Sequence, residues 1–242
     1  MCTLIVGVRQ YPSLLLVSAN RDELRERPAL PPSHWEREDF VAPRDQEAGG
    51  TWLGLTKTGL FVGVTNRYPS VKHPGRESRG KLVVEALRAK SARELRATLQ
   101  SLPVERFNTF HLLYADFDGA FVTWSDGAAL HHRELGDGVH VVTERSLGGD
   151  DQGREDIVRH AWPTLETDVD GVPTPRALQA LMSTGVPAGV CVDIPDLNYG
   201  TRSSLVLYAK RDLAQSRWFW ADGRPDQTPY VEAPALIRSL VD

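Results

Sequence analysis

The cysteine at position 2 is the first residue of this sequence whose chemistry and place in the chain together suggest catalysis. Removal of Met1 would give Cys2 both a thiol and a free α-amine. A thiol attacks as the thiolate, with a free pKa of ~8.5, and an α-amine with a pKa of ~7.7–8.0 accepts its proton near neutral pH. Cys2 is therefore a candidate nucleophile that carries its own base. The alternative interpretation is a small, buried hydrophobic residue that stands second by chance.

A polar segment, NRDE at 20–23, follows the apolar run LLLVSA. Apolar strands at 2–9 and 14–21, separated by the turn residues YPS, predict a β-hairpin that brings this segment beside Cys2. Arg21 would then stabilise a thiolate or bind a substrate carboxylate, and Asp22 would hold the α-amine or orient Arg21. The alternative is a solvated strand end that leads into a charged loop.

Asn66 is the third candidate, and it ends the strand FVGVTN. This strand belongs to a second predicted hairpin, residues 50–66, whose turn is KTG at 57–59. A well-placed side-chain amide stabilises the oxyanion of an acyl-transfer intermediate by roughly 2.7–4 kcal/mol. The alternative is that Asn66 only opens a turn into Tyr68-Pro69.

Composition and motifs exclude several other classes of function. The net charge of −4 and the pI near 6.0 do not favour nucleic acid or acidic membranes, so a small molecule is the expected partner. There is no HExxH, zinc or phosphate-loop motif, and we expect no metal. Two distant cysteines predict free thiols and a reducing compartment, with Cys191 structural in its apolar VCV context. No signal sequence or ~20-residue apolar stretch is present, which predicts a cytoplasmic protein without membrane insertion.

The predicted elements must form a scaffold that positions these residues. A chain of 242 residues, 41% of them hydrophobic, fits one domain spanning 1–242. Between the hairpins, four prolines predict a long irregular loop from Arg25 to Glu47, which would shape a pocket. A strand meander is predicted over 107–143, with strands near 203–208 and 217–221. Helices are predicted at 80–90, 92–102, 152–162, from Pro175 onward and at 234–240. The order indicates an α+β fold, with two stacked antiparallel sheets between helical layers.

Six short motifs occur in this order along the chain: MCT at the start, NRDE, GGTWLG at 49–54, VTN at 64–66, SRG at 78–80 and YGTRSS at 199–204. Together they resemble the NRDE family, also called the transport and Golgi organisation protein 2 family. The resemblance implies an N-terminal nucleophile (Ntn) hydrolase fold, a four-layer αββα sandwich. The similar enzymes are the choloylglycine hydrolases, namely bile-salt hydrolases and penicillin V acylases, which also begin Met-Cys-Thr.

The resemblance assigns catalytic roles to three of the candidates. By similarity Cys2 is the nucleophile, Asp22 holds its α-amine, and Asn66 is the oxyanion-hole asparagine. The hydrolases also carry an arginine three residues before their aspartate, where this chain has Ala19. Arg21 is the candidate replacement, although adjacent strand residues point to opposite faces.

A second departure concerns Glu144 in the segment HVVTERSLG, where the family pattern has an asparagine. If Glu144 faces the site, it opposes thiolate and oxyanion formation unless Arg145, Arg21 or Arg202 neutralises it. Arg202 belongs to the motif YGTRSS. The substrate-binding residues predicted at this stage are Asn20, Arg21, Glu144 and Arg202.

Two functions remain open from the sequence. The first is an Ntn amidohydrolase or acyltransferase that acts on a small amide or acyl compound and requires no cofactor. The second is a non-catalytic intracellular protein that uses the same cleft to bind and traffic haem or a lipid or acyl-CoA, since the family has been linked to both. No CxxCH motif is present, so any haem would be non-covalent. A scaffold without a small-molecule role is a third, less specific interpretation.

Overall fold

A computed structural model describes residues 2–69, 73–148 and 153–242. Strands and helices are numbered separately in chain order. The strands are β1 (Cys2–Tyr11), β2 (Leu14–Leu24), β3 (Ala29–His34), β4 (Phe40–Asp45), β5 (Leu53–Thr56), β6 (Phe61–Asn66), β7 (Phe110–Ala115), β8 (Ala120–Ser125), β9 (Leu130–Leu135), β10 (Gly138–Val142), β11 (Asp193–Ile194), β12 (Tyr199–Lys210), β13 (Arg217–Ala221) and β14 (Val231–Glu232). The helices are α1 (Arg79–Ala86), α2 (Ala92–Leu99), α3 (Gly153–Ala161), α4 (Pro175–Ser183) and α5 (Pro234–Val241).

These strands form two antiparallel sheets. The first sheet has the order β10-β1-β2-β12-β13-β14, with β11 paired to β12. The second sheet is β3-β4-β5-β6-β7-β8-β9, and its neighbours in space are neighbours in sequence. The second sheet is therefore built from strands in sequence order, with α1 and α2 inserted between β6 and β7, whereas the first sheet joins segments from both ends of the chain.

The sheets pack face to face between two helical layers. Side chains alternate along a strand, so Leu4 and Val6 of β1 enter the core between the sheets while Ile5 packs toward the helices. Helices α1 and α2 cover the outer face of the second sheet, and α3 and α4 cover that of the first. Helix α5 packs against the core between the sheets. The α+β, αββα sandwich expected from the sequence is confirmed.

Two regions of the chain depart most from the sequence prediction. The segment 25–47, expected to be an irregular loop, contains β3 and β4. Strand β3 is an edge strand with one neighbour, and its register shifts between Leu30 and Ser33. Pro31 and Pro32 lie in that irregularity. Proline has no N–H to donate, but an edge strand has no second neighbour on its outer side, so few inter-strand hydrogen bonds are lost there. Strand β10, expected to continue the meander, instead pairs with β1 in the first sheet.

The helix starts agree with the predicted caps. Ser91 caps α2 by accepting a hydrogen bond from the Glu94 N–H at 3.2 Å, and Thr174 caps α4. The helix predicted from Gln152 is observed from Gly153, and Gln152, like Met1, lies outside the described residues. Within the described ranges, no helix combines the length and the apolar character needed to cross a membrane.

Candidate active site

Cys2 lies directly opposite Arg21 in the hairpin of β1 and β2, as the sequence predicted. Directly paired residues on antiparallel strands share a face, and this face is the one between the two sheets. Ala19 lies two residues before Arg21 and therefore shares its face, so Arg21 supplies a cation on the thiol side where Ala19 cannot. Arg21 as a replacement for the hydrolases' arginine stays a prediction, and its position beside Cys2 is compatible with that role.

A cavity of about 310 Å³ opens beside these two residues. Its wall is built from the start of β1, the ends of β2, β4 and β6, and the beginning of α1. Residues that line it include Cys2, Arg21, Glu23, Arg27, Asp45, Glu47, Thr51, Trp52, Asn66, His73, Arg76, Glu77, Ser78, Arg79 and Asn108. The lining is mostly charged and polar, and its size fits a small molecule or one end of a larger one.

The thiol of Cys2 is half-buried, and its Sγ lies 3.9 Å from the carbonyl oxygen of Asp22, to which it donates a weak hydrogen bond. Burial raises the pKa of the Cys2 thiol above its ordinary value. The resting residue is therefore predominantly a neutral thiol at pH 7, and thiolate formation requires a base.

Arg21 is held in a fixed orientation by contacts on two sides. Its guanidinium carbon lies 4.2 Å from the centre of the Trp52 ring, and its Nη2 donates to Asp45 Oδ2 at 3.4 Å. The residue is only 5% exposed, yet its Nη1 has no hydrogen-bond partner among the described residues. One donor group of Arg21 thus remains unsatisfied in the wall of the cavity.

Asp22 also borders the cavity, but its carboxylate points to the opposite face of the sheet, toward α3. Its Oδ1 accepts a hydrogen bond of 2.6 Å from Thr201 Oγ1. Its Oδ2 lies 3.6 Å from Nη1 of Arg154 and has no hydrogen-bond partner within the described part of the chain. Desolvation of this buried carboxyl raises its pKa to about 7, against the lowering effects of Thr201 and Arg154.

Glu144 follows β10 and is buried on the same helix-facing side as Asp22, outside the cavity wall. Its carboxylate pairs with Arg154 of α3. The arginines considered from the sequence do not neutralise it. Because Arg154 compensates its charge on the far side of the sheet, Glu144 is not an anion in the cavity.

Of the remaining predicted site residues, one lines the cavity and two do not. Asn66 is exposed and lines the cavity. Asn20 faces the helices, where its Nδ2 donates to the carbonyl oxygens of Met182 and Val190 at 3.0 and 3.1 Å. Arg202 lies at an irregularity of β12 and is not part of the cavity wall. We therefore assign no substrate contact to Asn20, Glu144 or Arg202.

Two cavity residues received no role in the sequence analysis, although both lie in motifs that it quoted. Trp52 of GGTWLG packs its ring against the guanidinium of Arg21, and Arg79 of SRG is the first residue of α1. These motifs meet in space: the Thr51 N–H donates to the Gly80 carbonyl oxygen at 3.3 Å. A Cβ on Gly50 would lie 2.4 Å from the Gly80 carbonyl carbon. Glycine at position 50 thus permits the close approach that places Arg79 in the cavity.

Comparisons with known proteins agree with this architecture. The family model described as Transport and Golgi organisation 2 matches residues 1–167. A Transport and Golgi organization protein 2 homolog of Bos taurus is 28% identical over 233 residues, covering 82% of this chain and 83% of that protein. A Mus musculus homolog is 32% identical over 108 residues, 42% of this chain and 38% of its own.

Solved structures show the same fold at low sequence identity. The Caenorhabditis elegans N-acylethanolamine-hydrolyzing acid amidase ortholog aligns with a TM-score of 0.60 at 15% identity, covering 85% of this chain and 92% of its own. A mutant conjugated bile acid hydrolase from Clostridium perfringens aligns with a TM-score of 0.51 at 11% identity, covering 97% and 93%. Both are similar in fold to this chain.

Proposed function

The chain belongs to the Transport and Golgi organisation 2 family and has the fold of Ntn hydrolases, and on this premise we propose that it is an N-terminal-cysteine amidohydrolase or acyltransferase acting on a small amide or acyl compound. The observation that carries the proposal is the carboxylate of Asp22. It is buried beside the start of β1, and its Oδ2 lacks a hydrogen-bond partner among the described residues. An α-ammonium on Cys2, freed by removal of Met1, would supply that partner.

The first half of the proposed reaction forms an acyl-enzyme. The α-amine of Cys2 accepts the Sγ proton, and the thiolate attacks the substrate carbonyl carbon. Asn66 donates its amide N–H to the resulting oxyanion, and the adjacent Arg21 lowers the energy of the negative charge. When the tetrahedral intermediate collapses, the carbon–nitrogen bond breaks and the α-ammonium returns its proton to the leaving amine.

The second half resolves the thioester on Cys2. In hydrolysis, the α-amine takes a proton from water as the oxygen attacks the thioester carbonyl carbon. The carbon–sulfur bond then breaks, and the α-ammonium returns its proton to Sγ, which recovers the thiol and the free amine. In acyl transfer, a substrate amine or alcohol replaces water. The two solved relatives named above are described as an amidase and a conjugated bile acid hydrolase, which supports an amide bond as the target.

A haem-binding function is less compatible with the cavity. Cys2 and His73 offer a thiol and an imidazole as iron ligands. The surrounding wall is mostly charged, however, whereas a macrocycle needs a broad apolar surface. The residues present do not fit haem well, and the haem alternative stays a prediction from the sequence. Haemin titration tests it: a Soret band that shifts in the wild type and not in Cys2→Ala would revive it.

The central experiment compares two forms of the protein that share the thiol and differ in the amine. Intact mass spectrometry of protein purified from cells should show that Met1 is absent. This form should react with iodoacetamide at Cys2 and release amine from an acyl p-nitroanilide in a burst equal to the enzyme concentration. A form with an N-terminal peptide extension keeps the thiol without the α-amine and should lose the burst. Retained Met1 together with an unreactive Cys2 would refute the proposal.

A further inference from the structure

We propose that the cavity beside Cys2 contains an anion-binding subsite, formed by Arg21 and Arg79, that recognises a carboxylate or phosphate group on the substrate. This inference rests on the proposed function and narrows its substrate class to anionic acyl compounds. The carboxylate or phosphate bound there would be a recognition group of the substrate, separate from the acyl group that reacts.

The first observation is the unsatisfied donor of Arg21. Trp52 covers one face of its guanidinium, and its Nη2 donates to Asp45 at 3.4 Å and lies 3.8 Å from Glu23 Oε2. Its Nη1 is left without a partner in the described structure although the residue is 95% buried. An unpaired buried donor on a charged group is costly, and it is expected where a ligand oxygen completes the bond. Arg21 thus presents a preorganised donor to a bound anion.

The second observation is the uncompensated charge of Arg79. Its Nη1 donates to the Thr109 carbonyl oxygen at 3.0 Å, which fixes the side chain without neutralising it. No carboxylate of the described residues forms an ion pair with it. Burial lowers the pKa of Arg79, while the negative charges of the Cys2 thiolate and Glu23 would raise it, and Arg79 lines the same cavity as Cys2. Arg79 is therefore a second cation at the reacting end of the cavity.

Nearby carboxylates compensate Arg21 only in part, and none of the described ones forms an ion pair with Arg79. Glu23 Oε2 lies 3.8 Å from Arg21 and 3.9 Å from Arg27. Arg27 takes Asp45 as its main partner at 2.7 Å and also pairs with Glu47 at 3.2 Å. Glu77 pairs with Arg106 at 2.7 Å. The Cys2 thiol is mainly neutral at rest, because burial raises its pKa, and it does not supply a permanent anion. The unmet positive charge is best satisfied by an anionic group of the ligand.

Two alkylating reagents that differ only in charge test the subsite. The same thiolate attacks iodoacetate and iodoacetamide and displaces iodide from each, so any effect on thiolate formation cancels in the ratio of the two rate constants. We expect wild-type Cys2, identified by peptide mass spectrometry, to favour iodoacetate, with the ratio falling about tenfold in Arg79→Gln. Arg79→Lys should retain part of the preference. Arg27→Gln removes the same charge from the same wall, and because Arg27 is already paired, its ratio should change less than about twofold.

The outcomes separate this inference from the proposed function. If Cys2 reacts with both reagents and Arg79→Gln leaves the ratio unchanged, the anion subsite is refuted while the nucleophile stands. If Cys2 reacts with neither reagent, the proposed function fails. Ion binding then decides the subsite: inorganic phosphate and acetate should change wild-type tryptophan fluorescence saturably, and Trp52→Phe or Arg79→Gln should abolish the change.

The same titrations distinguish the two anions. Protection of Cys2 from iodoacetamide by inorganic phosphate and not by acetate would assign a phosphorylated substrate, and the reverse would assign a carboxylate. Absence of both protection and a fluorescence change would overturn the subsite.

Discussion

Nη1 of Arg154 lies 3.6 Å from Oδ2 of Asp22, while the other terminal nitrogen of the same guanidinium pairs with Glu144. One arginine thus lies between two buried carboxylates, directly behind the strand that carries Cys2. The arrangement leaves Asp22 incompletely compensated and Glu144 paired. Because Asp22 is buried and incompletely compensated, its raised pKa should make the stability of the protein depend on pH.

The first prediction concerns the pH dependence of stability in protein that retains Met1. The folded-state pKa of Asp22 is raised from 3.8 to about 7, so between these values the folded state binds a proton that the unfolded state has lost. Stability contributed by this group therefore falls as pH rises from 4 to 7. Relative to wild type, Asp22→Asn should gain up to about 4 kcal/mol of unfolding free energy over this window. Urea denaturation at pH 4.5 and pH 8 checks this; a difference independent of pH would contradict it.

The second prediction concerns Arg154 itself. Replacing it by methionine leaves Glu144 buried without its partner and should destabilise the fold by about 3–5 kcal/mol. Adding Glu144→Gln should recover part of this loss, because the uncompensated charge is removed. Arg159→Met on the same helix is the control. The Arg159 side chain is 58% exposed and pairs with Glu155, so its replacement should lower the unfolding free energy by only about 0.5 kcal/mol. Chemical denaturation of the three variants and the wild type measures each change in unfolding free energy.

A third prediction separates the two thiols. Burial raises the pKa of Cys191 to about 11, with the nearby Asp226 acting in the same direction. Iodoacetamide at pH 8 should therefore label Cys2 of the processed protein at least about tenfold faster than Cys191. Cys191→Ala should leave the rate at Cys2 unchanged, and Cys2→Ala should abolish fast labelling. Equal labelling of both cysteines would show that the α-amine does not activate Cys2.

The fourth prediction concerns the close contact between the GGTWLG and SRG motifs. Gly50→Ala places a Cβ 2.4 Å from backbone of Gly80, and the strain should cost about 1–3 kcal/mol. It should also displace Arg79 and slow iodoacetate alkylation of Cys2 more than iodoacetamide alkylation. Gly136→Ala is the matched control, since no atom of the described residues lies within 4 Å of its added Cβ. Thermal melts and the two alkylation rates provide the measurements.

Local patterns in the sequence were sufficient for the hairpins, the helix caps and the pairing of Cys2 with the NRDE segment. These features depend on side-chain alternation and on short connections, which the order of residues alone specifies. The same logic predicted the layered α+β fold, because antiparallel hairpins with apolar faces need helices to cover them. The prediction was wrong at β3, because an edge strand tolerates the two prolines that were expected to prevent a strand. It was also wrong at β10, because the residues of that strand do not specify which sheet it joins.

The electrostatic environment of the site was decided by tertiary structure. The sequence placed Glu144 in doubt and named three arginines to neutralise it, yet its partner is Arg154, which no motif marks. Whether Arg21 shares the face of Cys2, and whether Arg79 reaches the same cavity, depends on the register of β1 with β2 and on the docking of α1. The sequence by itself determined which residues lie next to one another along strands, because that follows from backbone periodicity. Only the packed fold decided which charges meet, since ion pairs form between elements far apart in the chain.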